Sequence, residues 1–213
     1  MAYSGTNGQE IVGTYPQVRN QTQISYSYWY LRSGNGTRQG CTFGTANGNI
    51  LGVYHWTDNN IYAQNETPTS GFAFGFVAQA GVSGWNHLAL VYDGTQSTNA
   101  LRCRAFFNGT QQTLSFSGVI PSTTADTATV ETFQVNEIIF HQSAGSYAEI
   151  GAWQGLLTDN EIRSLWRGMS PKLIQPNSLF LHLPLTRNIQ DTISATALTN
   201  ISMTVATHPR IYQ

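Results

Sequence analysis

The chain has 213 residues, of which 40% are hydrophobic and 10% are charged, and its formal net charge is −1 at pH 7. Soluble domains usually carry roughly 25% charged residues, so this surface is predicted to be rich in hydroxyl and amide groups instead. The nearly neutral charge argues against ligands held by charge, and we predict no nucleic acid and no membrane as a partner.

The N-terminus, MAYSGTNGQE, has neither a basic start nor an apolar run, so no signal peptide is predicted. No stretch approaches the ~18 uninterrupted apolar residues of a membrane helix. We therefore expect a chain that is made in the cytoplasm. Its length fits one domain over residues 1–213, because β-sandwiches of this size fold around a single core.

The first clear strand is QISYSYWYL, residues 23–31. Its period-two alternation places Ile24, Tyr26, Tyr28 and Tyr30 on one face, which is typical of a half-buried strand. Further short apolar runs follow, each ended by Gly, Asn, Asp or Pro. This spacing predicts an all-β fold, an antiparallel sandwich or barrel.

The stretch VYHWTDNNIYAQN, residues 53–65, combines aromatic and polar side chains. Tyr54, Trp56 and Tyr62 could stack on the C–H faces of a sugar while Asp58 and Asn60 bond its hydroxyl groups. We predict these residues as a ligand-binding site. Tyr54 and Trp56 share one face by parity, however, so packing against the neighbouring sheet is the competing interpretation.

The segment TDNN, residues 57–60, raises the question of a metal. Calcium needs several oxygen ligands, and Asp58 is the one carboxylate of this segment. Asp and Asn are also ordinary turn residues, so a turn is favoured. No cofactor and no metal site are predicted, with calcium kept as the alternative. The nearby His55, and His87 later in the chain, are predicted to be hydrogen-bonded polar side chains and not catalytic bases.

The stretch WNHLALVYDGT, residues 85–95, is apolar on both faces, which predicts a central strand that begins at Trp85. It stops at Asp93-Gly94, a turn sequence. The run LRCRAFF, residues 101–107, is predicted to return as the partner strand, with Arg102 and Arg104 on its solvent face, and to end at the turn Asn108-Gly109.

The two cysteines, Cys41 and Cys103, lack the spacing of a metal site. They could pair, but buried free thiols are the favoured interpretation.

A helix is predicted at TDNEIRSLWRG, residues 158–168, in this β-rich background. Thr158 precedes Glu161 by three positions, the spacing of a capping box. Ile162, Leu165 and Trp166 follow at helical spacing, and Trp166 is interpreted as the core anchor of this stripe instead of a ligand platform.

The order of these motifs resembles the laminin-G-like branch of the concanavalin A-like lectin and glucanase family. The resemblance rests on the strand opened by Trp85, the turns at 93–94 and 108–109, the Ile-Gly-x-Trp strand that ends at Trp153, and the Leu-Thr-x-x-Glu-Ile helix start at 157–162. It implies a two-sheet antiparallel jelly roll in which Trp85 fills one end of the sandwich. Residues 168–185 and 205–213 resemble the ending of laminin-G-like proteins encoded by tailed bacteriophages and by some environmental bacteria.

Enzyme chemistry finds little support in the sequence. Glycosidases of this superfold need two carboxylates about 5–10 Å apart, so Glu131, Glu137 and Glu149 would have to converge. Glu149 stands alone among apolar residues and is interpreted as a structural carboxylate bonded to backbone, with a metal ligand as the alternative. No Gly-x-Ser-x-Gly motif is present either.

These observations predict a non-enzymatic structural protein of a bacteriophage virion, a capsid decoration or a fibre or tail accessory subunit. Its expected partners are other virion proteins such as the major capsid protein, further copies of the same chain in a homo-oligomer, and a glycan. The alternative is a free carbohydrate-binding, lectin-like module.

Overall fold

The computed structural model describes residues 2–6, 9–32, 39–45, 49–70, 73–78, 84–136, 145–186 and 189–207. The strands are β1 (Ala2–Gly5), β2 (Glu10–Thr14), β3 (Gln23–Arg32), β4 (Gln39–Phe43), β5 (Leu51–His55), β6 (Asn60–Asn65), β7 (Phe74–Ala78), β8 (Trp85–Asp93), β9 (Cys103–Phe107), β10 (Thr110–Gln111), β11 (Ser115–Ser117), β12 (Thr132–Val135), β13 (Gly145–Trp153), β14 (Leu179–Leu183), β15 (Thr199–Ile201) and β16 (Thr204–Ala206). The helices are α1 (Asn99–Arg102) and α2 (Asp159–Trp166), and 3-10 turns span Pro16–Val18, Ala128–Glu131 and Pro171–Leu173. None of the helices in these ranges has the length and apolar character needed to cross a bilayer.

The strands form two antiparallel sheets, each of eight strands within the described ranges. Sheet 1 has the order β10-β9-β8-β3-β13-β1-β16, and β14 also pairs with β13. Sheet 2 has the order β11-β7-β6-β5-β4-β12-β2-β15. Side chains from both sheets meet in one main hydrophobic cluster. The predicted fold class, an all-β antiparallel jelly-roll sandwich with a short helix near residues 158–168, is confirmed.

The tyrosine stripe of β3 fills the centre of this core. Tyr26 and Tyr28 are fully buried, and their hydroxyl groups reach the backbone of the opposite sheet. The Tyr28 hydroxyl donates to the Val53 carbonyl at 2.6 Å, and the Tyr26 hydroxyl donates to the Cys41 carbonyl at 3.1 Å. Burial raises the pKa of both phenols well above the usual value. The aromatic core therefore also links the two sheets by hydrogen bonds.

Strand β8 lies between β3 and β9 and is buried on both faces. Leu88, Leu90 and Tyr92 join the main core. Ala89 and Val91 join a second cluster, on the outer face of sheet 1, which α2 covers. The strand is central, as the two-sided apolar pattern predicts. Its outer face can be apolar because helix α2 shields that face from water.

The two turn sequences lie where the chain reverses. Asp93 accepts hydrogen bonds from the Thr95 amide at 3.2 Å and the Thr95 hydroxyl at 2.6 Å. Burial opposes ionisation of Asp93, but these and further side-chain hydrogen bonds outweigh it and lower the pKa of the carboxyl group. A Cβ atom on Gly94 would lie 1.9 Å from the Ser122 carbonyl oxygen, so only glycine fits this turn.

The segment after Asp93 differs from the prediction. Residues 99–102 form the helical turn α1 and not the start of a strand, and Leu101 is 50% exposed. The Arg102 amide donates to the Thr98 carbonyl, and its guanidinium group donates to the Gln96 and Ile120 carbonyls at 2.6 and 2.7 Å. Arg102 is therefore bound to loop backbone. Arg104, on β9, forms an ion pair with Asp159 at 2.9 Å.

Both cysteines are free and buried, as the favoured interpretation predicts. Cys41 and Cys103 belong to the main core cluster. Burial raises the pKa of the Cys103 thiol to about 12, so it stays protonated and packs as a small apolar side chain.

Helix α2 begins with a complete capping box. The Glu161 amide donates to the Thr158 hydroxyl oxygen at 3.3 Å, and the Thr158 amide donates to the Glu161 carboxylate at 2.7 Å. Ile162 and Leu165 are buried in the second cluster. Trp166 is not the core anchor that the stripe predicts, since it is 37% exposed. Trp166 follows the buried Leu165 by one position and so lies beside the buried stripe of the helix. Its ring covers the backbone of Gly109.

The expectation that Trp85 fills one end of the sandwich is also wrong. Trp85 is half-buried and pairs with Leu31. It has the parity opposite to the core residue Leu88, so it projects from the outer face of sheet 1. Trp153 is the tryptophan that is fully buried, beneath α2, where its indole N–H donates to the Ile174 carbonyl at 2.8 Å.

Candidate functional site

The predicted site residues lie on the hairpin that joins β5 to β6. The Trp56 amide donates to the Asn60 carbonyl at 3.0 Å, which closes a loop of residues 57–59. Asn59 has φ +64°, a left-handed conformation that Asn tolerates better than most residues. Short loops of this kind hold the two strands in a fixed register.

Asp58 organises this loop. One carboxylate oxygen accepts the Asn60 amide at 2.9 Å. The other accepts the Asn60 side-chain amide at 3.0 Å and the Tyr62 hydroxyl at 2.8 Å. A carboxylate has about four acceptor positions, so one position remains for a ligand hydroxyl. The geometry is that of a turn, and Asp58, Asn60 and Tyr62 form one connected polar group at the end of the hairpin.

The aromatic residues of the hairpin lie on the outer face of sheet 2. Val53 and Ile61 belong to the core, so Tyr54 and Tyr62, of opposite parity, project away from sheet 1. Packing against the neighbouring sheet, the competing interpretation, is therefore wrong. The outward direction follows from the register that pairs Tyr54 with Tyr62 across the hairpin.

The rings continue across three neighbouring strands. The Tyr54 and Tyr62 rings are stacked with centroids 5.9 Å apart and planes at 9°, and the Tyr62 and Phe76 rings are 5.9 Å apart at 23°. Trp56 and Phe74 flank Tyr62 at centroid distances of 6.2 and 5.2 Å. We call these five side chains the aromatic ladder. Four of them are half-buried, whereas Tyr54 is only 7% exposed because its neighbours cover it.

Phe74 and Phe76 are absent from the sequence prediction. Their signal is the alternation Phe-Gly-Phe in β7, which places both rings on one face. Only the pairing of β7 with β6 shows that this face is the one that carries Tyr62. The ladder therefore extends one strand beyond the predicted site.

The polar end of the ladder has fixed hydrogen-bonding roles. Burial, together with the hydrogen bond to Asp58, raises the pKa of Tyr62, so its hydroxyl group stays protonated at neutral pH. The Arg32 guanidinium group donates to the Asn59 side-chain oxygen at 2.8 Å and supports the loop from β3. Flat apolar rings beside a carboxylate and amides suit a sugar, whose C–H face stacks while its hydroxyl groups bond.

The calcium alternative gains no cluster of acidic side chains in the described ranges. Among the described residues, no three His, Cys, Asp or Glu side chains are grouped so that they could hold a metal. Asp58 contributes a single carboxylate, and its nearest polar partners are hydrogen-bond donors that compete with a cation.

Of the three glutamates considered for glycosidase chemistry, the two described ones lie beside different sheets. Glu131 lies just before β12 of sheet 2, 3.7 Å from the Arg19 guanidinium group. Glu149 lies in β13 of sheet 1 and contacts the His182 ring, with 3.1 Å between Oε2 and Nε2. Its side chain therefore contacts an imidazole. Glu137 lies outside the described residues.

Of the two histidines predicted to be hydrogen-bonded, His55 is not, and one ring nitrogen of His87 lacks a partner. His55 points into the core, where its ring contacts Tyr30 and Phe107 and neither ring nitrogen has a partner. His87 is buried on the outer side of sheet 1 against Trp29, and its Nδ1 also lacks a partner. Burial lowers the pKa of each ring to about 3, and for His55 the charge of Arg32 adds to this effect.

No family model and no curated protein matches the sequence. Solved structures do match. A candidate carbohydrate binding protein from Bacteroides ovatus ATCC 8483 superposes with a TM-score of 0.68 at 15% identity, over 97% of this chain and 59% of that one. A native heptameric SAP-like pentraxin from Limulus polyphemus gives 0.55 at 11% identity, over 95% and 93% of the two chains.

A third match is the CBM40 domain of the Ruminococcus gnavus IT-sialidase, determined with α2,3-sialyllactose bound. It superposes with a TM-score of 0.53 at 14% identity, over 76% of this chain and 97% of that domain. The chain thus spans 59% of the length of the Bacteroides protein. At such low identities the likeness concerns the fold, and the chain has the antiparallel, concanavalin A-like jelly-roll sandwich of these binding proteins.

Proposed function

We propose that the chain is a non-enzymatic structural and adhesive subunit of a tailed-bacteriophage particle that binds a glycan through the aromatic ladder. The observation that carries the glycan part is the outward stack of Tyr54, Tyr62 and Phe76 beside the Asp58 carboxylate. A partly exposed row of rings on an otherwise polar chain offers a surface for stacking.

The geometry supports a sugar better than a purely apolar ligand. The rings follow neighbouring strands, which lie about 4.8 Å apart, so successive rings can contact successive parts of an oligosaccharide. Asp58 and Asn60 then accept and donate hydrogen bonds at one end of the row. The matches to the Bacteroides protein and to the sialyllactose-bound domain agree with this proposal, since their names refer to carbohydrate binding or to a bound sugar.

The virion part of the proposal rests on the resemblance of residues 168–185 and 205–213 to laminin-G-like proteins of tailed phages. In this proposal the chain joins other virion proteins, such as the major capsid protein, as a decoration, fibre or tail accessory subunit, and it forms a homo-oligomer. The alternative is a free lectin-like module, which would use the same aromatic ladder without joining a particle.

Glycan binding is tested with a set of tryptophan and tyrosine variants. Tyr62→Ala and Trp56→Ala should each weaken binding by about 3- to 10-fold, because a stacked ring contributes roughly 0.5–1.5 kcal/mol. The probe is an array of purified bacterial surface polysaccharides, followed by titration of the strongest one. Trp166→Ala is the matched control, since it removes a partly exposed tryptophan from helix α2, which packs on the opposite sheet. Equal binding by wild type and the ladder variants, or no binding by the wild type, would contradict the proposal.

Virion membership is tested by mass spectrometry of gradient-banded phage particles that encode this chain. Copy numbers close to that of the major capsid protein are expected for a decoration subunit, and a few copies in the tail fraction for a fibre component. Absence of the chain from washed particles would refute the structural role and leave the free lectin.

A further inference from the structure

A pocket with polar and apolar walls lies on the outer face of sheet 1, on the other side of the sandwich from the aromatic ladder. Its volume is about 350 Å³, and the described residues of its walls come from β13, β14, residues 170–173, Pro184, Thr186 and Thr192. This size is at the lower end for ligand pockets and suits one small molecule. Glu149 and His182 form its base and are both almost fully buried, at 4% exposure.

The backbone at Glu149 is strained. Strand β13 pairs with β1 at residues 145–147 and with β14 at residues 150–153, and Glu149 lies between these two partners. The register against β3 also shifts there, which makes a β-bulge. Glu149 has φ +48°, a conformation that costs a non-glycine residue about 1–3 kcal/mol. Bulges commonly redirect a side chain next to a functional site, and this one points a carboxylate into a pocket.

Hydrogen bonds hold the base of the pocket in place. The His182 ring lies between two partners, with Nε2 3.1 Å from Glu149 Oε2 and Nδ1 2.8 Å from the Thr192 hydroxyl. The His182 amide donates to the Asp191 carboxylate at 3.1 Å. Asp191 also accepts the Tyr15 hydroxyl at 3.0 Å, which ties the pocket to the core. A ligand would therefore meet groups whose positions are already set, and little ordering free energy would be lost on binding.

The rim of the pocket supplies the opposite charge. Lys172 is the only lysine of the chain, and its exposed side chain lines this pocket together with the hydroxyl groups of Ser170 and Thr186. Leu173 and Pro184 add an apolar wall. A carboxylate accepts and an ammonium group donates, so vicinal hydroxyl groups could bond both while a C–H face rests on the apolar wall.

We propose that this pocket binds one neutral monosaccharide unit, held by Glu149 and Lys172 and positioned by His182. One carboxylate and one ammonium group give the pocket no net preference for an anion or a cation, and the hydroxyl groups of a neutral polyol can bond both. The inference does not rest on the aromatic ladder. With both sites in place, the chain would contact carbohydrate on two opposite faces.

The test uses the whole chain carrying Tyr62→Ala, which weakens the aromatic ladder. The probes are the methyl glycosides of glucose, galactose and mannose. Each is titrated into the 15N-labelled protein, and binding is measured from 1H–15N chemical shifts. At least one glycoside should bind with a Kd of roughly 1–20 mM, typical of a weak small-ligand site, and shift the amide signals of the non-proline pocket residues Ser170, Lys172, Leu173, His182 and Thr186. Glucuronate and glucosamine should bind several-fold more weakly.

Two variants separate this pocket from a non-specific effect. Lys172→Met and Glu149→Gln should each weaken binding by about tenfold or more, whereas Arg167→Met, which removes another exposed cation from outside the pocket lining, should change it by less than about twofold. Lys172 is exposed, so its variant should fold normally even if Glu149→Gln does not. No shifts at about 50 mM glycoside, or equal binding by the Lys172 and Arg167 variants, would overturn the inference. Binding that Tyr62→Ala abolishes would overturn it too, while leaving the aromatic ladder as a glycan site.

Discussion

At the scale of single residues, the turn at Asn108-Gly109 shows how a local signal acquires a tertiary role. Both residues have positive φ, +48° and +75°, as a two-residue hairpin between β9 and β10 requires. The Asn108 side chain also accepts the His87 amide at 2.8 Å and so joins the hairpin to β8. Gly109 then lies beneath the Trp166 ring, where a Cβ atom would approach Cε3 to 2.7 Å. The glycine is needed for its backbone conformation and for this close approach.

Gly109→Ala should therefore destabilise the protein by about 2–3 kcal/mol, from left-handed strain and from displacement of Trp166. Gly84→Ala is the matched control, because Gly84 has φ +88° but no atom of the other described residues lies within 4 Å of the added Cβ, its two chain neighbours aside. That control should lose only about 1 kcal/mol. Urea unfolding measures both values. Equal losses in the two variants would show that the contact with Trp166 contributes nothing.

At the scale of elements, helix α2 is a segment whose own sequence determines where it begins. Its eight residues begin at a reciprocal capping box, and its apolar side covers Ala89, Val91 and Trp153. Such a short helix is marginal alone, so packing and capping together must stabilise it. Gln175 adds a third contact, because its side-chain amide donates to the Glu161 carboxylate at 2.9 Å.

Thr158→Ala should lower the free energy of unfolding by about 1 kcal/mol, since one amide of the first helical turn loses its acceptor. Glu161→Gln keeps an acceptor oxygen and should cost less. The coupling energy of the double variant, measured by urea unfolding, should be at least about 0.5 kcal/mol because the two side chains form one unit. Additive losses would indicate that the capping box contributes no coupling.

At the scale of the whole molecule, the sandwich buries two imidazole rings without full hydrogen bonding. The pKa of His55 and of His87 is lowered to about 3. An unfolded chain protonates histidine near pH 6.5. Between about pH 6.5 and 3 the unfolded state therefore binds protons that the folded state does not, and stability falls as the pH falls.

The free energy of unfolding should accordingly decrease by up to about 1.4 kcal/mol per pH unit for each of the two rings between pH 6 and 4. His55→Phe should reduce this slope by the share of one ring, because a phenyl group carries no proton and fits among aromatic neighbours. Urea unfolding at pH 7, 6, 5 and 4 tests the expectation. An unchanged slope in the variant would mean that His55 is protonated in the folded state as well.

Much of the fold could be predicted from the sequence because its signals are local. The alternation over β3, the two-sided apolar run of β8, the capping box of α2 and the Asn-Gly turn each depend on residues within a few positions of one another. The same holds for Asp58, Asn60 and Tyr62, which meet across one short hairpin. Local backbone geometry determines these relations wherever the segment lies in the molecule.

Only the tertiary structure decided which faces became buried and which distant groups met. Parity places Tyr54 and Tyr62 on one face, but the pairing of β6 with β7 brought Phe76 to them. The exposure of Trp166 depends on where α2 rests on sheet 1. Glu149 and His182 are separated by 33 positions and meet only because β14 pairs with β13 beyond the bulge. Strand order and register arise from long-range packing, so a single strand's sequence does not contain them.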